Sequence, residues 1–99
     1  MRLLRVFSII YEFITHVKSY EVVMAIFSER LRELRQEHKL KQREMAEICG
    51  LKLRSYQQYE YNEGYPDVPG LVAIADYFDV SLDYLMGRSD VRTVQRPQP

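Results

Sequence analysis

The stretch Leu40–Glu60, LKQREMAEICGLKLRSYQQYE, decides how the rest of the chain reads. Lys41 to Cys49 forms a short amphipathic helix, stopped by Gly50, a residue type that tolerates the left-handed backbone found just past a helix end. Leu51 and Lys52 then lead into a second helix, Leu53 to Tyr61. Small and large apolar side chains have separate tasks here. Ala46 lets the two helices approach closely, while Leu51, Tyr56 and Tyr59 are expected to fix their angle by packing into a core. Lys39, Lys41, Arg43, Lys52 and Arg54 face only Glu44 and Glu47, so the stretch from Lys39 to Arg54 carries three net positive charges.

Downstream, Asn62-Glu63-Gly64-Tyr65-Pro66-Asp67 is turn chemistry throughout. Val68, Leu71, Val72, Ile74, Ala75 and Phe78 restore a helical period, with Pro69 tolerable in a first turn. Ser81 opens a last short helix, Leu82 to Met86, closed by Gly87. From Glu60 to Asp90 seven acidic residues face one basic residue, a net of six negative charges. One end is built to meet an anion and the other to avoid it. Val91 to Pro99 is polar with two prolines and reads as a frayed tail.

Upstream, Ser28 reads as the cap of a helix that buries Ile26, Phe27, Leu31 and Leu34 and leaves Arg30, Arg32, Glu33, Gln36 and Glu37 solvated. Earlier still, Leu3, Val6, Ile10, Phe13, Val17 and Tyr20 recur at helical spacing, although the β-branched and aromatic content also suits a strand. The expected organisation is an N-terminal amphipathic extension at 1–23, a domain at 24–90 and a tail at 91–99. Two readings of the extension stand side by side. It is a dimerisation or partner helix whose apolar face needs cover, or it is untranslated leader, with Glu21-Val22-Val23 encoding a ribosome-binding sequence ahead of Met24.

Ninety-nine residues hold one compact domain and an appendage. Equal numbers of basic and acidic side chains give zero formal charge, which argues against coating nucleic acid or membrane by charge alone. Cys49 is the sole cysteine. It cannot form an internal disulfide, its position suits a buried small apolar residue better than a redox sensor, and a reducing cytoplasm is the expected setting. His16 and His38 have no companion ligands, so no metal site and no cofactor are expected. The first twenty residues lack a cleavage site for secretion and are too short and polar to span a bilayer. Without a nucleophile–base set or phosphate-cradling glycine loop, an enzyme is not expected.

With Pro66 and the run LVAIADYFDVSLDYLMG at Leu71–Gly87, the Leu40–Glu60 stretch resembles the Cro and CI repressor-like helix-turn-helix family of XRE-type regulators. The likeness covers roughly Phe27 to Asp90. Gln42 opening the first helix, Ala46, Gly50 and Tyr59-Glu60 closing the second carry it together. It implies an all-α, five-helix lambda-repressor-like domain, here with an extra N-terminal helix. It also implies that the second helix enters a DNA major groove. Leu53, Arg54, Gln57 and Gln58 would then read bases: Arg54 a guanine, Gln58 an adenine, Leu53 a thymine methyl. Lys41, Gln42 and Lys52 would hold phosphates, aided by helix N-termini. Tyr61 and Tyr65 are further candidates for phosphate contact. Tyr56 and Tyr59 read as core rather than as stacking platforms for single strands.

Two features depart from that pattern or complete it. Family members usually carry Ser or Thr at both helix N-caps, and here Lys41 and Lys52 stand there. A missing cap costs ~1 kcal/mol and a cation at the positive helix end adds a mild penalty, so both lysines are expected to favour phosphate binding over stability. Arg35 matches a position that pairs with the glutamate closing the second helix, which predicts a structural brace between Arg35 and Glu60. The implied function is sequence-specific binding of double-stranded DNA by a homodimer on a palindromic operator. The residues Val80, Leu82, Leu85 and Met86 are one candidate interface and the first helix another. A repressor is the leading reading; an antitoxin that binds a toxin and represses its own operon is the alternative. An antirepressor is a further possible protein partner.

Overall fold

A computed structural model describes residue 23 and residues 25–94; the extension assigned to 1–23 thus falls almost wholly outside the described residues. Among the described residues all regular structure is helical. Helix α1 runs through 25–37, followed by α2 (Gln42–Ile48), α3 (Leu53–Glu60), α4 (Val68–Tyr77) and α5 (Leu82–Leu85). One core joins them: Phe27, Leu31 and Leu34 from α1, Met45 and Ala46 from α2, Tyr56 from α3, and Leu71, Ile74 and Ala75 from α4. Phe78, Val80, Tyr84 and Leu85 close its far end. Each large apolar side chain so buried contributes roughly 1.5–3 kcal/mol. Ala46 lies where α2 meets the core, and Leu51, Tyr59, Leu40 and Cys49 pack around its edge as half-buried residues.

All five helices stop in the same way. The N–H three residues past the last residue of each helix reaches back five residues: Leu40 to Arg35 O, Leu51 to Ala46 O, Glu63 to Gln58 O, Val80 to Ala75 O and Arg88 to Asp83 O. The residue just before each of these donors has positive φ. Glycine holds that place at Gly50 (φ 68°) and Gly87 (φ 79°), whereas Lys39, Asn62 and Asp79 adopt it at 55°, 59° and 53°. Such ends satisfy the last carbonyls that a helix leaves open. Gly87 has a second reason: a Cβ there would lie 2.7 Å from Ile26 Cγ2, so α1 and the end of α5 meet too closely for any side chain.

Ser28 does not cap α1. It lies inside the helix, 4% exposed, and its hydroxyl donates to the Tyr59 carbonyl near the end of α3 at 2.7 Å. A cap needs the first turn to begin beside it, and residues 25–27 are already helical. Arg30, expected to be solvated, is instead largely covered, while Glu37 is exposed as expected but paired. Arg30 lies over the Tyr84 ring at 4.2 Å, donates to Ser89 O at 2.8 Å and pairs with Asp90 at 2.7 Å.

Arg92 approaches Tyr84 as well, 5.2 Å from the ring centroid, donates from Nε to its hydroxyl at 3.1 Å and grips Glu37 at 2.8 and 2.7 Å. Ser81 completes the strap, its N–H donating to Arg92 O at 2.8 Å and its hydroxyl to Val91 O at 3.1 Å. The frayed tail expected from Val91 onward therefore starts too early: residues 91 and 92 are tied to the body by charge and backbone bonds that polar composition does not reveal. The proposed Val80–Met86 interface also needs correction, since Val80 and Leu85 are only 5% and 0% exposed. They fill the core under α4. Leu82, with Val72 and Val91, supplies the exposed apolar surface at that end.

Candidate nucleic-acid interface

Helices α2 and α3 pack together and bury Ala46 and Tyr56 in the common core, and their N-termini are the parts the sequence marks for DNA. Both begin at lysines in extended backbone, Lys41 and Lys52, and neither lysine side chain caps its helix. An ammonium has no lone pair to offer the free N–H groups of the first turn. At α2 the Glu44 carboxylate accepts from the Lys41 N–H at 3.1 Å, which restores half of a capping box. No acidic residue stands in the first turn of α3.

On α3, Arg54 and Gln58 are exposed and one turn apart, and Lys52 is exposed beside them. Leu53 and Gln57 are half-buried. The sequence placed all five on one reading face; the structure separates an outer pair, Arg54 and Gln58, from Gln57, whose amide turns toward α2. Gln57 Nε2 donates to Gln42 Oε1 at 3.0 Å. Gln42 Nε2 in turn donates to Glu60 Oε1 at 3.2 Å and to the Tyr61 hydroxyl at 3.4 Å. The Gln42 side chain, expected to clamp phosphate, thus points its amide into the protein. Tyr61 is 54% exposed at the C-cap of α3. Tyr65 packs edge-on against Phe27, ring centroids 6.4 Å apart.

Behind this surface Arg35 and Glu60 meet in two bonds, Nε to Oε2 at 2.6 Å and Nη2 to Oε1 at 3.0 Å. Arg35 Nη1 also donates to Leu40 O at 2.9 Å, tying in the α1–α2 turn. The Tyr56 hydroxyl donates to Glu60 as well. The Glu60 side chain is fully buried. Burial alone would raise its carboxyl, but hydrogen bonds from Arg35, Tyr56 and Gln42 outweigh it and hold the group below the usual carboxylate range. Burial, and then the bond to Glu60, pushes the Tyr56 hydroxyl far up, so it remains a donor. Burial likewise raises the Cys49 thiol, which disfavours a reactive thiolate. His38 Nδ1 sits 2.9 Å from Leu34 O, its ring edge-on to Phe78 at 4.9 Å.

Sequence reasoning missed the Gln42–Gln57 bond and the Ser28–Tyr59 bond. Both join residues far apart in the chain through side chains that no periodicity singles out. Among the described residues no group of His, Cys, Asp and Glu is arranged to hold a metal ion, and no helix is long and apolar enough to cross a membrane.

Comparison with known proteins agrees with the geometry. The chain is 40% identical over 65 residues to the uncharacterized HTH-type transcriptional regulator YobD of Bacillus subtilis, covering 66% of this chain and 58% of that protein. It is 43% identical over 60 residues to the cryptic phage CTXphi transcriptional repressor RstR of Vibrio cholerae, 61% of this chain and 54% of the repressor. A more distant relative, the HTH-type transcriptional activator BcrR of Enterococcus faecalis, is 29% identical over 68 residues, 69% of this chain and 33% of the activator. The chain thus spans less than two thirds of the length of these relatives. No solved structure matches it. The helix-turn-helix family profile matches residues 31–85, from the middle of α1 to the end of α5. The chain belongs to the helix-turn-helix family.

Proposed function

We propose that this protein is a transcriptional regulator that binds double-stranded DNA in a sequence-specific manner through α3. The observation that carries the reading is the exposed Arg54–Gln58 pair on a helix braced from behind by a buried ion pair, with Lys41 and Lys52 exposed at two neighbouring helix starts. Arg54 is suited to guanine and Gln58 to adenine, each worth ~1–3 kcal/mol of discrimination. Leu53 is suited to a thymine methyl. Lys41, Lys52 and Tyr61 are suited to phosphates, which fix register without specifying sequence. Gln42 adds its backbone N–H at the start of α2.

One α3 contacts few bases, so a homodimer on a palindromic operator, with half-sites about one helical turn apart, completes the reading. The exposed apolar residues Val72, Leu82 and Val91 offer a surface for it, and the segment at 1–23 is the other candidate. A repressor fits best, in keeping with the phage repressor among the relatives. The antitoxin reading draws on the acidic half of the molecule, whose charge suits a small basic protein partner. Selection of bound sites from random duplexes tests the main reading. The expected product is a two-fold symmetric site with a G·C pair in each half that Arg54→Ala relaxes. Failure to enrich any sequence would refute DNA reading, and co-purification of a basic partner alongside that failure would favour a protein-binding role.

A further inference from the structure

The reading face contains a residue that the fold has turned to another task. Glu60 is buried, ionised and held by Arg35, so it can only accept hydrogen bonds. Gln42 must therefore present its NH₂ to Glu60, and it does so at 3.2 Å. Its second amide hydrogen goes to Tyr61. The Gln42 carbonyl is thereby left facing α3, where it needs a donor, and Gln57 Nε2 supplies one at 3.0 Å. The orientation of each amide is set by its neighbour, starting from the carboxylate. Gln57 is half-buried in this arrangement, while Arg54 and Gln58 on the same helix are exposed.

We infer that Gln57 is a positioning residue rather than a base-reading one: its amide locks Gln42 and so sets the angle between the N-terminus of α2 and the reading helix α3. This rests on the proposed DNA-binding role and narrows it, leaving the hydrogen-bonding part of sequence readout to Arg54 and Gln58. A positioning role makes affinity depend on Gln57 while the preferred sequence does not.

Site selection and binding titrations with the full chain test this. Gln57→Ala and Gln57→Glu should both select the site that the wild-type protein selects; Gln57→Ala should bind it about three- to tenfold more weakly, the loss expected for one hydrogen bond, and Gln57→Glu more weakly still, because its carboxylate faces the Gln42 carbonyl and adds a negative charge to the helix. Gln42→Ala, which also gives up the bonds to Glu60 and Tyr61, should select the same site and bind it at least as weakly as Gln57→Ala, and the Gln42→Ala/Gln57→Ala double variant should bind no more weakly than Gln42→Ala, because the Gln57 amide then has no partner left to lose. Arg54→Ala and Gln58→Ala should each relax one base pair. Gln57→Glu is the sharpest arm, since a glutamate that touched a base would favour cytosine. A shift toward C·G at one position in that variant, or losses that multiply in the double variant, would overturn the inference. Melting curves of Gln57→Ala and Gln57→Glu identify any affinity loss caused by unfolding. If the wild-type protein enriches no site, DNA reading itself fails; if it does, Arg54→Ala relaxes one base pair and the Gln57 variants also change sequence preference, this inference alone fails.

Discussion

At Glu60 three side chains converge on one carboxylate. This residue accepts from Arg35, Tyr56 and Gln42 with its side chain fully buried. Removing one member of a buried pair leaves an uncompensated charge, so Arg35→Met should cost about 3–5 kcal/mol. The Arg35→Met/Glu60→Leu double variant should be more stable than Arg35→Met alone, because the orphaned charge is gone. Urea titrations of the three proteins check this, and a single variant within about 1 kcal/mol of wild type would contradict it. The same carboxyl makes stability depend on acidity. Its folded-state value lies below its ordinary 4.5, so its contribution is complete above that pH and declines as the pH falls through the depressed value. Melting temperature measured on acidification from neutral pH should drop less steeply below pH 4.5 in Glu60→Gln than in wild type. The Arg35–Glu60 pairing is legible in the sequence because the resemblance supplies both positions. The Gln42–Gln57 bond is not, because a glutamine amide facing inward leaves no trace in composition.

At the scale of elements, the two lysines stand at the N-caps where the sequence puts them, and the structure distinguishes between them. Lys41→Thr would complete a capping box with Glu44, whereas Lys52→Thr would cap a helix whose third position is Ser55. Each substitution should raise stability by about 1 kcal/mol, the larger gain at Lys41. If the lysines hold phosphates, each should also weaken DNA binding and reduce the slope of log affinity against log salt by about 0.9 for every phosphate no longer neutralised. Calorimetry and titrations at several salt concentrations check the two halves separately. Helix boundaries in α2 and α3 are legible because Gly50 and the apolar period mark them. The start of α1 is not, because Ser28 has the chemistry of a cap, and only tertiary packing shows that its hydroxyl serves α3 instead.

The whole molecule is closed by contacts between distant parts of the chain. Ser28 reaches Tyr59 across 31 residues, Arg30 reaches Ser89 across 59 and Arg92 reaches Glu37 across 55. None of these is visible as a local pattern, which is why the C-terminal strap reads as a loose end in the sequence. Arg92 and Glu37 are each nearly half-exposed, so Arg92→Ala should cost only about 1 kcal/mol overall. The local effect should be clearer. Hydrogen exchange at the Ser81 N–H, which donates to Arg92 O, should speed up while the amides of α2 and α3 keep their protection. Unchanged exchange at Ser81 would mean that the side chain does not hold the strap.

The shared helix endings bear on the charge separation between the two halves. Glycine would adopt the left-handed backbone with least strain at every one of these ends, yet the end of α1 carries Lys39 and the end of α4 carries Asp79. A left-handed L-residue costs on the order of 1 kcal/mol. The cation falls in the basic half, just ahead of α2, and the anion in the acidic half. The charge of each residue thus matches that of the stretch it stands in, and in the proposed DNA-binding role this charge separation would orient the molecule in the field of a polyanion before any base is touched.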